Sequence, residues 1–338
     1  MLKFSYEHLV LIIVAVLLAV LPLIDTVPPS WILYVFIYCI YLSMACMWNL
    51  IAGYSGLISL CQPAFLGLAG YTLALGTWVN VPWWAGLLGG AVAAGIFAVL
   101  IAFAVFRLSG VYFAIGTLVV PEALRSAFIL WRPVGGTLTG GGAGYMIKKI
   151  ATIGINEIYW MALAIAAISI LIFQLILNSK LGLGLAAIRD NQRAAASCGI
   201  NPFRLKLFPF VLGAIITGLA GAVYYIYQGF IEPTRTFNVS WTMAILLATV
   251  IGGMRTRGGA ILGTMIYVFL YFILARYGGY SLMIQGAILI AIFLISPQGL
   301  LGILNRFSFY RSFVACMSRP VFGRSQAGIG SHPPVSGR

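Results

Sequence analysis

The sequence predicts an all-α integral membrane protein, a polytopic bundle of about eight to ten transmembrane helices. Three observations predict it. Of 338 residues, 62% are hydrophobic and only 8% are Asp, Glu, Lys or Arg, so a soluble globule would expose apolar surface far beyond what water tolerates. Long apolar stretches recur along the chain, and the basic residues between them collect in alternate loops.

Stretches apolar enough for roughly 30 Å of hydrocarbon run over about 9–24, 31–52, 57–78, 83–106, 110–130, 158–178 and 207–230. Three more, over about 241–254, 259–275 and 281–296, bring the total to about ten. The first is read as a retained membrane helix, because Pro22, Asp25 and Pro28 follow it where a signal peptidase needs small residues. The stretch 241–254 is short for a crossing and runs into Gly252-Gly253-Met254-Arg255-Thr256-Arg257-Gly258-Gly259, which predicts a half-helix or re-entrant element. These elements form one membrane domain, residues 1–312. The tail, 313–338, has Pro, Gly and Ser with few apolar residues and is expected to be disordered.

The formal charge of +14, from 20 basic and six acidic residues, is read by position. With alternating loops, Lys3, Arg107, Lys180, Arg189, Arg193, Arg204, Lys206, Arg255, Arg257 and the C-terminal arginines share one side. Arg132, Lys148, Lys149, Arg235 and Arg276 lie on the other. The positive-inside rule makes the richer side, with both termini, cytoplasmic. Basic residues thus record topology and not nucleic-acid binding.

Two loops stand out. The external one, 131–157, carries Gly135-Gly136-Thr137-Leu138-Thr139-Gly140-Gly141-Gly142-Ala143-Gly144, too flexible for a helix. The internal one, 179–206, has helix formers from Leu183 to Ala196 between Gly182 and Gly199 and predicts a single short cytoplasmic helix.

Much chemistry is excluded. Five cysteines, at 39, 46, 61, 198 and 316, are odd in number and lack metal-ligand spacing. The two histidines, His8 and His332, lie near the termini, so no metal or haem site is expected in the bundle. Gly53-Tyr54-Ser55-Gly56 resembles the GxSG of intramembrane serine proteases, but no membrane histidine is present as a base. No lysine lies in a phosphate-binding GxxxxGK[ST] loop. The protein is read as a non-enzyme without catalytic residues, metal or bound cofactor.

Two constellations remain. Glu122 and Arg125 lie inside a span, three residues apart on one helix face. They line a polar path or form a local ion pair near the membrane surface, because a lone mid-membrane charge costs about 2.5–3.5 kcal/mol. From Asn49 to Pro63, polar Asn49, Ser55, Ser59 and Gln62 gather with Gly53, Gly56 and Pro63 at membrane depth. A broken helix of this composition either lines a substrate path or is a kink held by neighbours. Small residues four apart, Gly86, Gly90, Ala94, then Gly213, Thr217, Gly221, then Gly259, Gly263, predict close helix crossings.

The run NLIAGYSGLISLCQPAFLGLAGYT, Asn49 to Thr72, resembles the first signature of the permease subunits of bacterial branched-chain amino-acid ABC importers, the LivM/LivH type. FRLSGVYFAIGT (106–117) with Glu122, TGGGAG (139–144), GLGLAAIRDNQRAAASCGIN (182–201), IGGMRTRGGAILG (251–263) and PQGLLG (297–302) follow in the family's order. The chain departs from the family at Cys61, Pro63, Pro121, Gln192 and Ala196.

The resemblance implies a permease that moves Leu, Ile, Val or related small solutes across the bacterial inner membrane by alternating access. It implies a second, homologous permease, two cytoplasmic ATP-binding subunits that use the ATP, and a periplasmic or extracellular solute-binding protein. The stretch 187–199 corresponds to the family's coupling loop, making Arg189, Asp190, Asn191, Arg193, Ala194, Ala195 and Gly199 the expected contacts to the ATPase. Asn49, Gly53, Ser55, Gly56, Ser59, Gln62 and Glu122 are the candidate translocation path. The contrasting class is an ion-gradient-driven secondary transporter or channel, which would favour acidic or histidine relays in the bundle.

Overall fold

The computed structural model describes residues 17–24, 28–134, 139–148, 153–256, 258–274 and 280–295. The first span before Leu17, the tail 313–338, Arg257 and the motif 297–302 lie outside the described residues.

The helices are α1 (Pro29–Asn49), α2 (Gln62–Trp78), α3 (Trp83–Val105), α4 (Val111–Leu130), α5 (Ile155–Leu177), α6 (Lys180–Asp190), α7 (Gln192–Ser197) and α8 (Pro202–Gln228). Then come α9 (Pro233–Thr236), α10 (Ser240–Gly252), α11 (Gly259–Leu274) and α12 (Ser281–Ile295). Two strands, β1 (Tyr145–Met146) and β2 (Phe230–Ile231), pair antiparallel. Among the described residues, five helical segments are long and apolar enough to cross a membrane: 29–54, 83–105, 111–130, 155–177 and 202–228. The chain is therefore a multi-pass membrane protein, a polytopic helical bundle.

At the centre, α1 packs on α5, α8, α10 and α11, and is almost wholly buried from Phe36 to Asn49. Apolar side chains occupy every face of it, as a helix enclosed by other helices allows. Around it, α3 crosses α2 and α8 closely, and the small-residue spacing explains how. A Cβ at Gly90 would stand 2.7 Å from the Ala69 carbonyl oxygen, and one at Gly221 2.8 Å from the Leu66 carbonyl oxygen. Gly263 similarly lies against the Ala248 carbonyl of α10. Backbones approach here because nothing stands between them, and dispersion takes the place of the hydrophobic drive that lipid cannot supply.

The structure revises three sequence expectations. The span expected over 57–78 begins its helix only at Gln62, because Gly56 takes φ +72° and Pro63 sits at the helix start, where its missing N–H costs nothing. The single helix expected over Leu183–Ala196 is two, α6 and α7, divided at Asn191, whose extended backbone (φ −155°, ψ 103°) ends one and caps the next. The Gly-rich loop contains a helical turn at Gly141–Ala143 and then β1, so its described part is ordered by pairing with β2. The 13-residue α10 spans about 20 Å, too short for a full crossing, as its composition predicted.

Candidate functional site: a broken helix joined to the α6–α7 hairpin

The α1 helix does not end cleanly. At Leu50–Tyr54 it widens into a π-helical turn, and residues 56–61 have no regular secondary structure before α2 begins. Such a break leaves backbone groups without helical partners inside the bundle, and each needs another. Leu60 N–H donates to Thr117 Oγ1 on α4 at 3.0 Å, and the Leu60 carbonyl accepts from Thr242 Oγ1 on α10 at 3.3 Å. The Ser59 carbonyl accepts from Trp48 Nε1 at 2.8 Å. Thr117 is also four residues before Pro121, which lacks an N–H to offer its carbonyl.

The candidate path residues take distinct positions. Asn49 is fully buried; its Oδ1 accepts from Arg255 N–H at 3.1 Å and its Nδ2 reaches the Thr256 carbonyl at 3.4 Å. Gly53 is buried against Asn49 and Arg255. Ser55 bonds back to the Ile51 carbonyl, Ser59 contacts Cys61, and Gln62 Oε1 accepts from Thr217 Oγ1 on α8 at 3.2 Å. All three side chains are buried, and Gln62 Nε2 has no partner. Gly56 is exposed. In this conformation the polar side chains of the break are turned inward as locks, and the backbone at Gly56 is exposed.

That backbone meets α6. Arg189 Nη1 lies 3.5 Å from the Gly53 carbonyl oxygen, and a Cβ at Gly56 would stand 3.0 Å from Arg189 Cγ. Arg189 is also bonded to Asp190 Oδ1 through Nε at 3.0 Å and Nη2 at 2.8 Å. This aims the guanidinium and leaves Asp190 69% exposed. Asn191 Oδ1 accepts from Arg193 and Ala194 N–H at 3.1 Å each and caps α7. Ala195 is buried, Arg193 and Ala194 are exposed, and Gly199 turns the chain at φ +84°. Tyr54 and Arg255, missed in the sequence, complete the junction: Tyr54 Oη donates to the Arg255 carbonyl at 2.7 Å. Arg255 itself adopts φ +68°, an uncommon conformation for arginine that its placement after Gly252-Gly253 hints at.

Glu122 stands apart from the break. It pairs with Arg125 on α4, with side-chain exposures of 50% and 34%. Of α4, only Phe113, Thr117 and Pro121 are buried, so the pair sits on an open face. Glu122 is about 16 Å along a helix of about 30 Å, at its middle.

Among the described residues no cluster of metal-ligating side chains occurs. The arrangement is a helix break held by side chains of α4, α8 and α10 and by the backbone of the α10–α11 turn, and touched by a surface hairpin.

Comparison with known proteins agrees with this class. Residues 30–295 match the family described as branched-chain amino acid transport system / permease component, and the chain belongs to that family, whose members are transport proteins and not enzymes. It is 28% identical over 298 residues to the high-affinity branched-chain amino acid transport system permease protein LivM of Escherichia coli K12, covering 78% of this chain and 68% of that one. It is 29% identical over 149 residues to LivH of the same organism, covering 44% and 47%. It is also 30% identical over 118 residues to a probable LivM of Methanocaldococcus jannaschii, covering 35% and 34%. No solved structure matches the chain.

Proposed function

We propose that the chain is one permease of a binding-protein-dependent ABC importer in the bacterial inner membrane, carrying Leu, Ile, Val or related small solutes by alternating access. A solute-binding protein delivers the substrate, and two ATP-binding subunits supply the energy; this chain itself binds no nucleotide. The observation that carries the reading is the Arg189 junction: the hairpin α6–α7 presents Asp190, Asn191 and Arg193 outward while Arg189 reaches back to the Gly53 carbonyl. A force applied by an ATPase to the hairpin then acts on a membrane helix at its break, the place where a helix bends most easily. The hairpin end is cytoplasmic in this reading.

The open face of α4 supports a second permease. A carboxylate and a guanidinium exposed halfway along a membrane helix are costly against lipid. Facing a homologous chain across a hydrated path, they are solvated.

Reconstitution with neighbouring gene products tests the proposal. Substrate added with the binding protein should stimulate ATPase activity and uptake into liposomes together. Uptake driven by an ion gradient with no ATPase would overturn it. Arg189→Glu should reduce co-purification of the ATPase and uptake; if both are unchanged, the coupling role is wrong.

A further inference from the structure

At the end of the bundle opposite α6 and α7, a cavity of about 620 Å³ opens beside β2 and α9 and reaches inward between α1, α8, α10 and α11. Its wall is aromatic. Trp241 lies 5.6 Å from Tyr41 and 4.9 Å from Tyr224, centroid to centroid; Tyr41 lies 5.1 Å from Tyr267 and 6.2 Å from Tyr271. Gln285 of α12 also lines the cavity. At the mouth, Glu232 Oε1 and Arg235 Nε are paired at 2.7 Å, with Glu232 26% and Arg235 85% exposed. The mouth segment is held by Trp241 Nε1 donating to the Arg235 carbonyl at 3.3 Å and by Tyr225 Oη donating to Thr236 Oγ1 at 2.8 Å.

Two properties define what fits. Ring faces and a carboxylate attract cations, above all where water is largely excluded. The carboxylate lies on the sheltered side and the guanidinium on the open side, so the order from inside out is cation-attracting, then anion-attracting. A lipid tail is a poor match for walls carrying Glu232, Gln285 and several phenols. The cavity between α1 and α11 lined by Val35, Ile261, Val268 and Phe269 suits a tail far better.

We propose that the aromatic cavity binds a small zwitterion, its ammonium group innermost against the tyrosine and tryptophan rings with Glu232 as counter-ion, and its acidic group toward Arg235. A free amino acid and the headgroup of an ethanolamine phospholipid both present this chemistry. The site goes beyond the transport proposal and needs neither an ATPase nor a second permease, so binding to the chain alone is informative even if import fails.

Calorimetry on the full chain in nanodiscs of phosphatidylglycerol tests it, with L-leucine, isoamylamine, which keeps the ammonium and loses the acid, and 4-methylpentanoate, which does the reverse. Leucine and isoamylamine should bind saturably and 4-methylpentanoate should not. Glu232→Gln and, separately, Tyr271→Leu should each weaken isoamylamine by about tenfold. Tyr271 is part-exposed, so its replacement keeps the test open if the first variant folds poorly. Binding suppressed when phosphatidylethanolamine replaces part of the lipid identifies the headgroup as occupant, and binding indifferent to it identifies the free solute; either supports the site. Absence of amine binding in phosphatidylglycerol, or equal binding by both variants and the parent, overturns it.

Discussion

Gly56 shows how much one residue can carry. Its φ of +72° lies where a Cβ is strained, and the space such a Cβ would enter is filled by Arg189. Gly56→Ala should therefore destabilise the protein by about 1 kcal/mol and push Arg189 off the Gly53 carbonyl. Thermal unfolding in detergent should register a lower Tm, with uptake falling further than the amount of folded protein. Glu122 makes a different residue-level argument. Both partners of its pair are part-exposed, so the attraction is screened and worth about 1 kcal/mol or less. Removing only the acid, however, leaves Arg125, whose Nε is already buried without a partner. Glu122→Gln should cost more stability than Glu122→Gln with Arg125→Gln, and a double-mutant cycle on Tm measures the difference.

Among elements, α7 is short and leans on its cap. Six residues cannot form a stable helix alone, and Asn191 satisfies two of its orphan N–H groups. Asn191→Ala should remove about 1 kcal/mol, seen as faster amide hydrogen exchange over Gln192–Ser197, whereas Asn191→Asp should preserve protection. The cap also explains why two helices stand where composition predicts one: alanine-rich sequence favours continuation, and an Asn side chain bonded to the next turn outweighs it. On α4, the inward stripe Phe113, Thr117, Pro121 contains the one hydroxyl that accepts the Leu60 N–H. Thr117→Val should orphan that part-buried donor and lower Tm by a few degrees.

At the scale of the whole molecule, orientation has a direct readout. Of the described cysteines, Cys39, Cys46 and Cys61 are buried and Cys198 is exposed, just beyond α7. With Cys316 replaced by Ser, a membrane-impermeant maleimide should label Cys198 in inverted vesicles and not in right-side-out cells; the opposite pattern would place the hairpin outside. The two ends of the bundle differ in kind. One gathers the helix break, the Arg255 turn and the hairpin; the other holds the β1–β2 pair, Lys148 seated 3.4 Å from the Trp78 ring centroid, and the aromatic cavity.

The sequence by itself determined the solvent, the family and the place of the break. An apolar chain with few charges has only lipid to face, and glycines with a proline amid buried polar groups cannot propagate a helix. Small residues four apart likewise foretold the close crossings, because that spacing is one helix face. Only the tertiary structure decided what the polar groups do. Asn49 and Gln62 are identical in the sequence whether they line a path or lock a kink, and their partners Arg255 and Thr217 come from elsewhere in the fold. The aromatic cavity was equally invisible. Tyr41, Tyr224, Trp241 and Tyr267 are ordinary apolar-helix residues in order along the chain, and they form one wall because α1, α8, α10 and α11 converge there.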